Sequence, residues 1–274
     1  MMALLKYAFA SRKARMDESL EEAARYGISV AEEYRQMMAR RGIDLAGCNL
    51  LELGPGSNLV TPLLLAAMGA RVSAADRFIA NWRDEHAPLY RLLLERFDGD
   101  GAPIRRALDL RCFDNAMRLI PEPAENMASI PTASQDVVVS NAVLEHLYDL
   151  EAAAAELWRV SRPGCWQFHQ IDLRDHKDYA RPLESLLWPR DIYREKQEKV
   201  RYERGCQWRA SEFKVAFEAQ GFQMREIEVN GLATDAYMDD FEARLPQYPA
   251  SPYQGWPRED LRIVSARFVL FRAE

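Results

Sequence analysis

Residues 51–58 read Leu51-Glu52-Leu53-Gly54-Pro55-Gly56-Ser57-Asn58, an apolar run carrying one carboxylate and then two glycines one residue apart. The Cys48–Leu53 run is too short for a free helix and fits a buried parallel strand. Gly54 and Gly56 let the chain turn tightly and approach a ligand closely. Thr61-Pro62 then reads as the N-cap and first residue of a helix that continues through Leu63–Met68. Strand, glycine turn and helix together open a doubly wound α/β domain, in which ligands bind at the carboxyl ends of the strands.

Working outward, Leu20–Arg40 reads as a helix, acidic at its start and basic at its end. Arg71–Ala75 is a second strand closed by Asp76, and Arg118–Ile120 a third. Asp136–Asn141 is a β-branched fourth strand that ends in polar residues, and Ala142–Leu147 starts the helix after it. Ser161-Arg162-Pro163-Gly164 is a turn and Trp166–Leu173 the fifth strand. Phe222–Val229 and Arg262–Phe271 form an antiparallel pair that closes the sheet. The expected fold is α/β, a doubly wound, seven-stranded, mostly parallel sheet in one domain over 1–274. Around it lie N-terminal cap helices in 1–48, a helical insertion at 81–115 carrying Leu89, Leu92, Leu93 and Phe97, and substrate-side or lid insertions at 172–210 and 231–258.

With 274 residues and 48% apolar composition, the chain can bury one full core. A net charge of −6 and a pI near 5.5 leave no electrostatic footprint for a phosphate backbone, so nucleic acid is not the expected partner. Cys48, Cys112, Cys165 and Cys206 have no metal-like spacing and read as reduced, mostly structural thiols of a cytoplasmic protein. In the first residues Arg12, Lys13 and Arg15 follow the apolar Met1–Ala10 run, an order that argues against a secretory signal and for an amphipathic helix. No apolar run reaches the roughly 20 residues needed to span a bilayer.

A dinucleotide fingerprint needs a third glycine at position 59, where the chain has Leu59, which disfavours a nicotinamide enzyme. An acidic residue followed by glycine at alternate positions is the turn of class I S-adenosylmethionine-dependent methyltransferases. From roughly Asn49 to Phe222 the chain resembles them, and it is nearest to the small-molecule and sugar methyltransferases whose fourth block runs from asparagine to Leu-Glu-His. Glu52–Gly56, Asp76, Ala124-Glu125, the Asp136–Leu147 block and Pro163-Gly164 follow in the family's order. Asn58 stands where the family often has a last glycine, and it tolerates left-handed backbone angles. Pro123 stands where the family commonly has an acid.

The resemblance implies S-adenosylmethionine as cofactor and S-adenosylhomocysteine as product. Glu52, Gly54, Gly56, Asp76, Ala124, Glu125 and Asn141 are the implied binding set. Asp76 lies about twenty residues after the glycine turn, where a carboxylate meets ribose hydroxyls; Phe78 either packs on the adenine or joins the core. Methyl transfer is an in-line displacement, so a hydroxyl acceptor must be held in place and relieved of its proton. A neutral imidazole suits that role: His146 is the expected base, Asp172 its support by analogy with sugar O-methyltransferases, and His176 the reserve. Along the fifth strand, alternation sends Gln170, Asp172 and Arg174 away from Ile171 and Leu173. The carboxylate clusters of metal-dependent methyltransferases are not recognisable, and no metal is expected.

The cations Arg190, Arg194, Lys196, Lys199, Arg201 and Arg204, interleaved with Glu195, Glu198 and Glu203, read as a solvated helix face. Tyr237, Phe241, Tyr248, Tyr253 and Trp256 offer either a lid or ordinary packing, and a surface that a second copy could use. The expected activity is methylation of a hydroxyl on a small metabolite, sugar or glycan precursor. The alternatives are N- or S-methylation of a small molecule, or a non-catalytic cofactor-binding protein on the same scaffold.

Overall fold

The computed structural model describes residues 20–200 and 204–273. The helix expected over Met1–Ala10, its basic neighbours, and Arg201 and Glu203 in the basic run lie outside the described residues. The chain forms two compact units, one reaching to Pro123 with Gln135–Val139 added, the other Ala124–Ser134 with everything from Ser140 onward. Seven strands make one sheet: β1 (Asn49–Leu53), β2 (Arg71–Ala75), β3 (Arg118–Ile120), β4 (Gln135–Asn141), β5 (Ser161–Asp172), β6 (Gln223–Leu232) and β7 (Ile263–Phe271). Their order is β3-β2-β1-β4-β5-β7-β6.

In the first unit, β1 pairs in parallel with β2, Leu53 opposite Ala75, and β2 with β3, Ala75 opposite Ile120. Helix α1 (Leu20–Ala39) buries Ala23, Ala24, Gly27, Val30, Ala31, Tyr34, Met37 and Met38, a stripe at helical spacing. It meets α2 (Val60–Ala67) where Gly27 has no side chain; a Cβ there would lie 2.2 Å from Val60 Cγ1. Helix α2 starts earlier than the sequence suggests, its N-cap being Leu59 in the left-handed region at φ 52°. Thr61 and Pro62 therefore sit within the first turn, where proline's missing N–H costs nothing because that donor has no partner inside the helix. Asn58 is not the left-handed residue; its Oδ1 accepts the Val60 amide at 3.2 Å.

The segment 81–115 holds two helices, α3 (Ala87–Arg96) and α4 (Ala102–Leu110), after a short 3-10 turn at Asp84–His86. Helix α3 packs on α1 and α4 on α2. Fully buried Tyr90 sends its hydroxyl to the Asn58 carbonyl at 2.9 Å, so the insertion pins the glycine turn.

In the second unit, β7 runs antiparallel to both β5 and β6. The expected turn at Ser161–Gly164 is absorbed into β5, because the Gly164 amide bonds the Arg272 carbonyl and the Arg272 amide bonds Cys165. Gly164, at φ 85°, bends without breaking the strand. The half-exposed β6 carries bulges near Met224 and Gly231 and charges at Arg225, Glu226 and Glu228, features that discourage edge-to-edge pairing. The helix expected at Ala142–Leu147 is a 3-10 turn at Leu144–His146; α5 (Leu150–Val160) starts later, where the Asp149 carboxylate caps the Ala152 amide at 2.9 Å.

Helices α6 (Arg190–Lys199), α7 (Ala210–Ala219), α8 (Asp235–Arg244) and α9 (Arg258–Leu261) complete this unit. Phe241 and Tyr253 are fully buried beside Leu183, Leu186 and Met238, with Tyr237 and Trp256 packed on them, so most of the aromatic insertion is core. The fully buried Arg209 guanidinium bonds the carbonyls of Leu173, Leu261 and Ile263, tying the end of β5 to the start of β7. On α6, Arg194 pairs with Glu198 at 3.6 Å and Lys196 stacks 3.1 Å above the Trp188 ring, while Arg190 turns inward to Glu212. The four cysteines are free thiols, and burial pushes the Cys206 thiol up to about 12.

Candidate active site

In the first unit, the parallel register sets the ends of β1 and β2 side by side. The Gly54 amide bonds the Ala75 carbonyl at 2.9 Å, so the glycine turn and Asp76 leave the sheet together. Gly54 and Gly56 both have positive φ, 61° and 74°. A Cβ on Gly56 would meet nothing within 4 Å, which leaves open space above the turn for a ligand's closest approach. The Asp76 carboxylate accepts the Phe78 amide at 2.5 Å, and Phe78 is 58% exposed, so it is not a core residue.

Glu52 is 4% exposed, and its Oε2 has no hydrogen-bond partner among the described residues. Burial pushes this carboxyl up to about 8. An orphaned buried carboxyl, an open glycine cradle and a carboxylate at the next strand end fit a polar, hydroxyl-bearing cofactor such as S-adenosylmethionine.

The second unit holds Ala124, Glu125 and Asn141 and all the expected catalytic residues. Glu125 accepts the Tyr148 amide at 2.6 Å and so fastens the loop ahead of α5. After Asn141, Ala142 adopts φ 54° and donates its amide to the Gln170 carbonyl at 2.9 Å. That kink aborts a helix and sets the Leu144–His146 turn beside the end of β5. Ile171 and Leu173 are buried while Gln170, Asp172 and Arg174 are partly exposed, the expected alternation.

Four groups from these two strand ends converge. The rings of His146 and His176 meet edge to face at 5.1 Å. His176 Nε2 lies 3.6 Å from Asp172 Oδ2. Asp172 is also gripped by Arg174, whose Nε reaches Oδ1 at 2.8 Å and whose Nη2 reaches Oδ2 at 2.6 Å. Burial opposes its charge, yet Arg174 and then His176 hold Asp172 well below the usual carboxylate range. Arg174 in turn lies 4.4 Å from the centre of the Tyr179 ring.

The fourth member is Glu145, the glutamate of the Leu-Glu-His block. It is 0% exposed and neither oxygen has a hydrogen-bond partner among the described residues. Burial, with the Asp172 charge adding to it, pushes Glu145 up to about 8 against the pull of nearby backbone amides and Arg174. Asp172 thus partners His176, the reserve histidine, at close range. His169, in the same polar stretch, is structural: fully buried, it bonds Ser140 Oγ at 2.7 Å and Gln167 Oε1 at 2.8 Å, and burial pushes it down to about 3.

Solved structures share the fold. A chain from Galdieria sulphuraria described as a sarcosine dimethylglycine methyltransferase aligns with a TM-score of 0.52 at 12% identity, over 90% of this chain and 86% of that one. Geranyl diphosphate C-methyltransferase from Streptomyces coelicolor A3(2) aligns with a TM-score of 0.52 at 15% identity, over 94% and 85%. At such identities these likenesses speak to fold alone. No curated protein matches the chain. The family described as "Methyltransferase domain" matches residues 5–227. With that match, the seven-stranded sheet and the glycine turn, the chain belongs to the S-adenosylmethionine-dependent methyltransferase family, with S-adenosylmethionine as cofactor and S-adenosylhomocysteine as product.

Proposed function

We propose that the protein is a cytoplasmic enzyme that transfers the methyl group of S-adenosylmethionine to a hydroxyl of a small metabolite, sugar or glycan precursor. Glu52, Gly54, Gly56 and Asp76 are assigned to the cofactor, with Ala124, Glu125 and Asn141 completing its set. His146, Asp172 and His176 are assigned to the acceptor. Among the described residues, no helix is long and apolar enough to cross a membrane.

The observation that carries this reading is the meeting of two imidazoles with two carboxylates, one held anionic by Arg174 and one buried without a partner. An amine or thiolate acceptor needs little help from such a group, whereas a hydroxyl does. In the transfer, the methyl carbon–sulfur bond breaks and its electron pair stays on sulfur, giving S-adenosylhomocysteine. The acceptor oxygen forms the new carbon–oxygen bond as its proton passes to the cluster. His146 and His176 are its bases, and Asp172 stabilises the imidazolium that forms on His176.

His146→Ala and His176→Ala test the reading. Each should lower kcat by roughly a hundredfold or more, while calorimetry with S-adenosylhomocysteine shows unchanged affinity. Near-normal turnover with the cofactor site intact would overturn the base assignment.

A further inference from the structure

The same cluster has the donor set of a metal site. One ligand atom each from Glu145, His146 and His176 lies within 4.8 Å of the others. Glu145 is wholly buried with both oxygens unpartnered, and His176 Nε2 is likewise buried without a hydrogen bond. An apolar or hydrogen-bonded residue would be expected in such places, because an unsatisfied buried carboxyl costs stability. Three donors from two separate strand ends, one of them a buried carboxyl without a hydrogen-bond partner among the described residues, lie close together.

We propose that Glu145, His146 and His176 bind one divalent transition-metal ion. Two imidazoles and a carboxylate suit zinc, cobalt, manganese or ferrous iron better than magnesium or calcium, which favour oxygen ligands. Donors about 2 Å from a tetrahedral ion stand roughly 3.3 Å apart. Loading therefore draws the set together by up to about 1.5 Å. Asp172, with both oxygens on Arg174, stays outside the ligand set.

Three protein ligands leave positions open for an oxygen of the acceptor. The inference rests on the reading that this cluster meets the acceptor and specifies how: the hydroxyl binds the ion, which lowers its pKa, and the two histidines serve as ligands while the proton leaves to solvent.

The test uses the tag-free full chain, stripped with chelator and titrated with cobalt and with zinc. Among the four histidines of the sequence, His86 belongs to the helical insertion and buried His169 is bonded to Ser140 and Gln167. One ion should bind per chain, with a cobalt absorption spectrum of mixed nitrogen and oxygen ligands. His146→Ala, His176→Ala and Glu145→Gln should each weaken binding at least tenfold, and His86→Ala should not. Circular dichroism and S-adenosylhomocysteine affinity report folding of each variant. No binding, or binding indifferent to the three cluster substitutions, overturns the metal site. If binding fails while His146→Ala still abolishes turnover, hydroxyl methylation survives without the metal. If binding succeeds while turnover ignores the cluster, the metal site stands and the acceptor reading falls.

Discussion

His176 Nε2 stands 3.6 Å from Asp172 Oδ2, the oxygen that Arg174 Nη2 also holds at 2.6 Å. Arg174, and then His176, hold the Asp172 carboxyl well below the usual carboxylate range, which favours the anion beside His176. Asp172→Asn removes that anion and frees Arg174. Turnover should fall about 10- to 100-fold, with S-adenosylhomocysteine affinity nearly unchanged; steady-state kinetics and calorimetry read the two effects separately.

Asp76 leaves β2 beside the glycine turn, and its carboxylate accepts the Phe78 amide. Charged hydrogen bonds to ribose hydroxyls contribute about 1.5–3 kcal/mol each. Asp76→Ala should therefore raise the dissociation constant for S-adenosylhomocysteine about tenfold or more by calorimetry. Unchanged affinity would remove Asp76 from the cofactor set.

Glu52 gives a stability signature in the cofactor-free protein. Its carboxyl titrates near the ordinary value when unfolded and is raised by burial to about 8 when folded. Between those values the folded chain keeps a proton that the unfolded chain has lost, so stability falls as pH rises towards 8. Glu52→Gln lacks this slope, about 1.4 kcal/mol per pH unit. Thermal melts from pH 5 to 8 should show the wild type losing several degrees relative to the variant; parallel curves would contradict the assignment.

His169 acts with the opposite sign. The unfolded imidazole takes a proton near its ordinary value, while the buried ring, pushed down to about 3, refuses it. Stability is therefore lost as pH falls through that window. His169→Gln should flatten the acid side of the melting-temperature profile, although losing the bonds to Ser140 and Gln167 should lower stability by about 1–3 kcal/mol at neutral pH.

Much of the fold was legible because local pattern and tertiary role agree. The strands at Arg71–Ala75 and Arg118–Ile120 have the expected bounds, and the two closing strands are antiparallel as expected, although the first of them runs on to Leu232. The errors lie where distant partners override local preference. Ala142-Val143-Leu144-Glu145 looks helical, but the Ala142 amide is drawn to Gln170 and the chain kinks. Pro163-Gly164 looks like a turn, yet Arg272 recruits it into β5. Leu59, a poor choice for a left-handed residue, is held there by complete burial of its side chain. In the candidate site, the histidines and Asp172 carried clear sequence signals. What spacing alone did not reveal is that Asp172 stands against His176, and that Glu145 is sealed in without a partner.

Following the methyl group itself tests hydroxyl methylation most directly. The full chain, given S-adenosylmethionine labelled with carbon-13 in its methyl group and a pool of metabolites and glycan precursors, should produce a new methoxy carbon resonance. That signal should disappear with His146→Ala. Label recovered on nitrogen, sulfur or carbon, or methoxy formation undiminished in the variant, would contradict it.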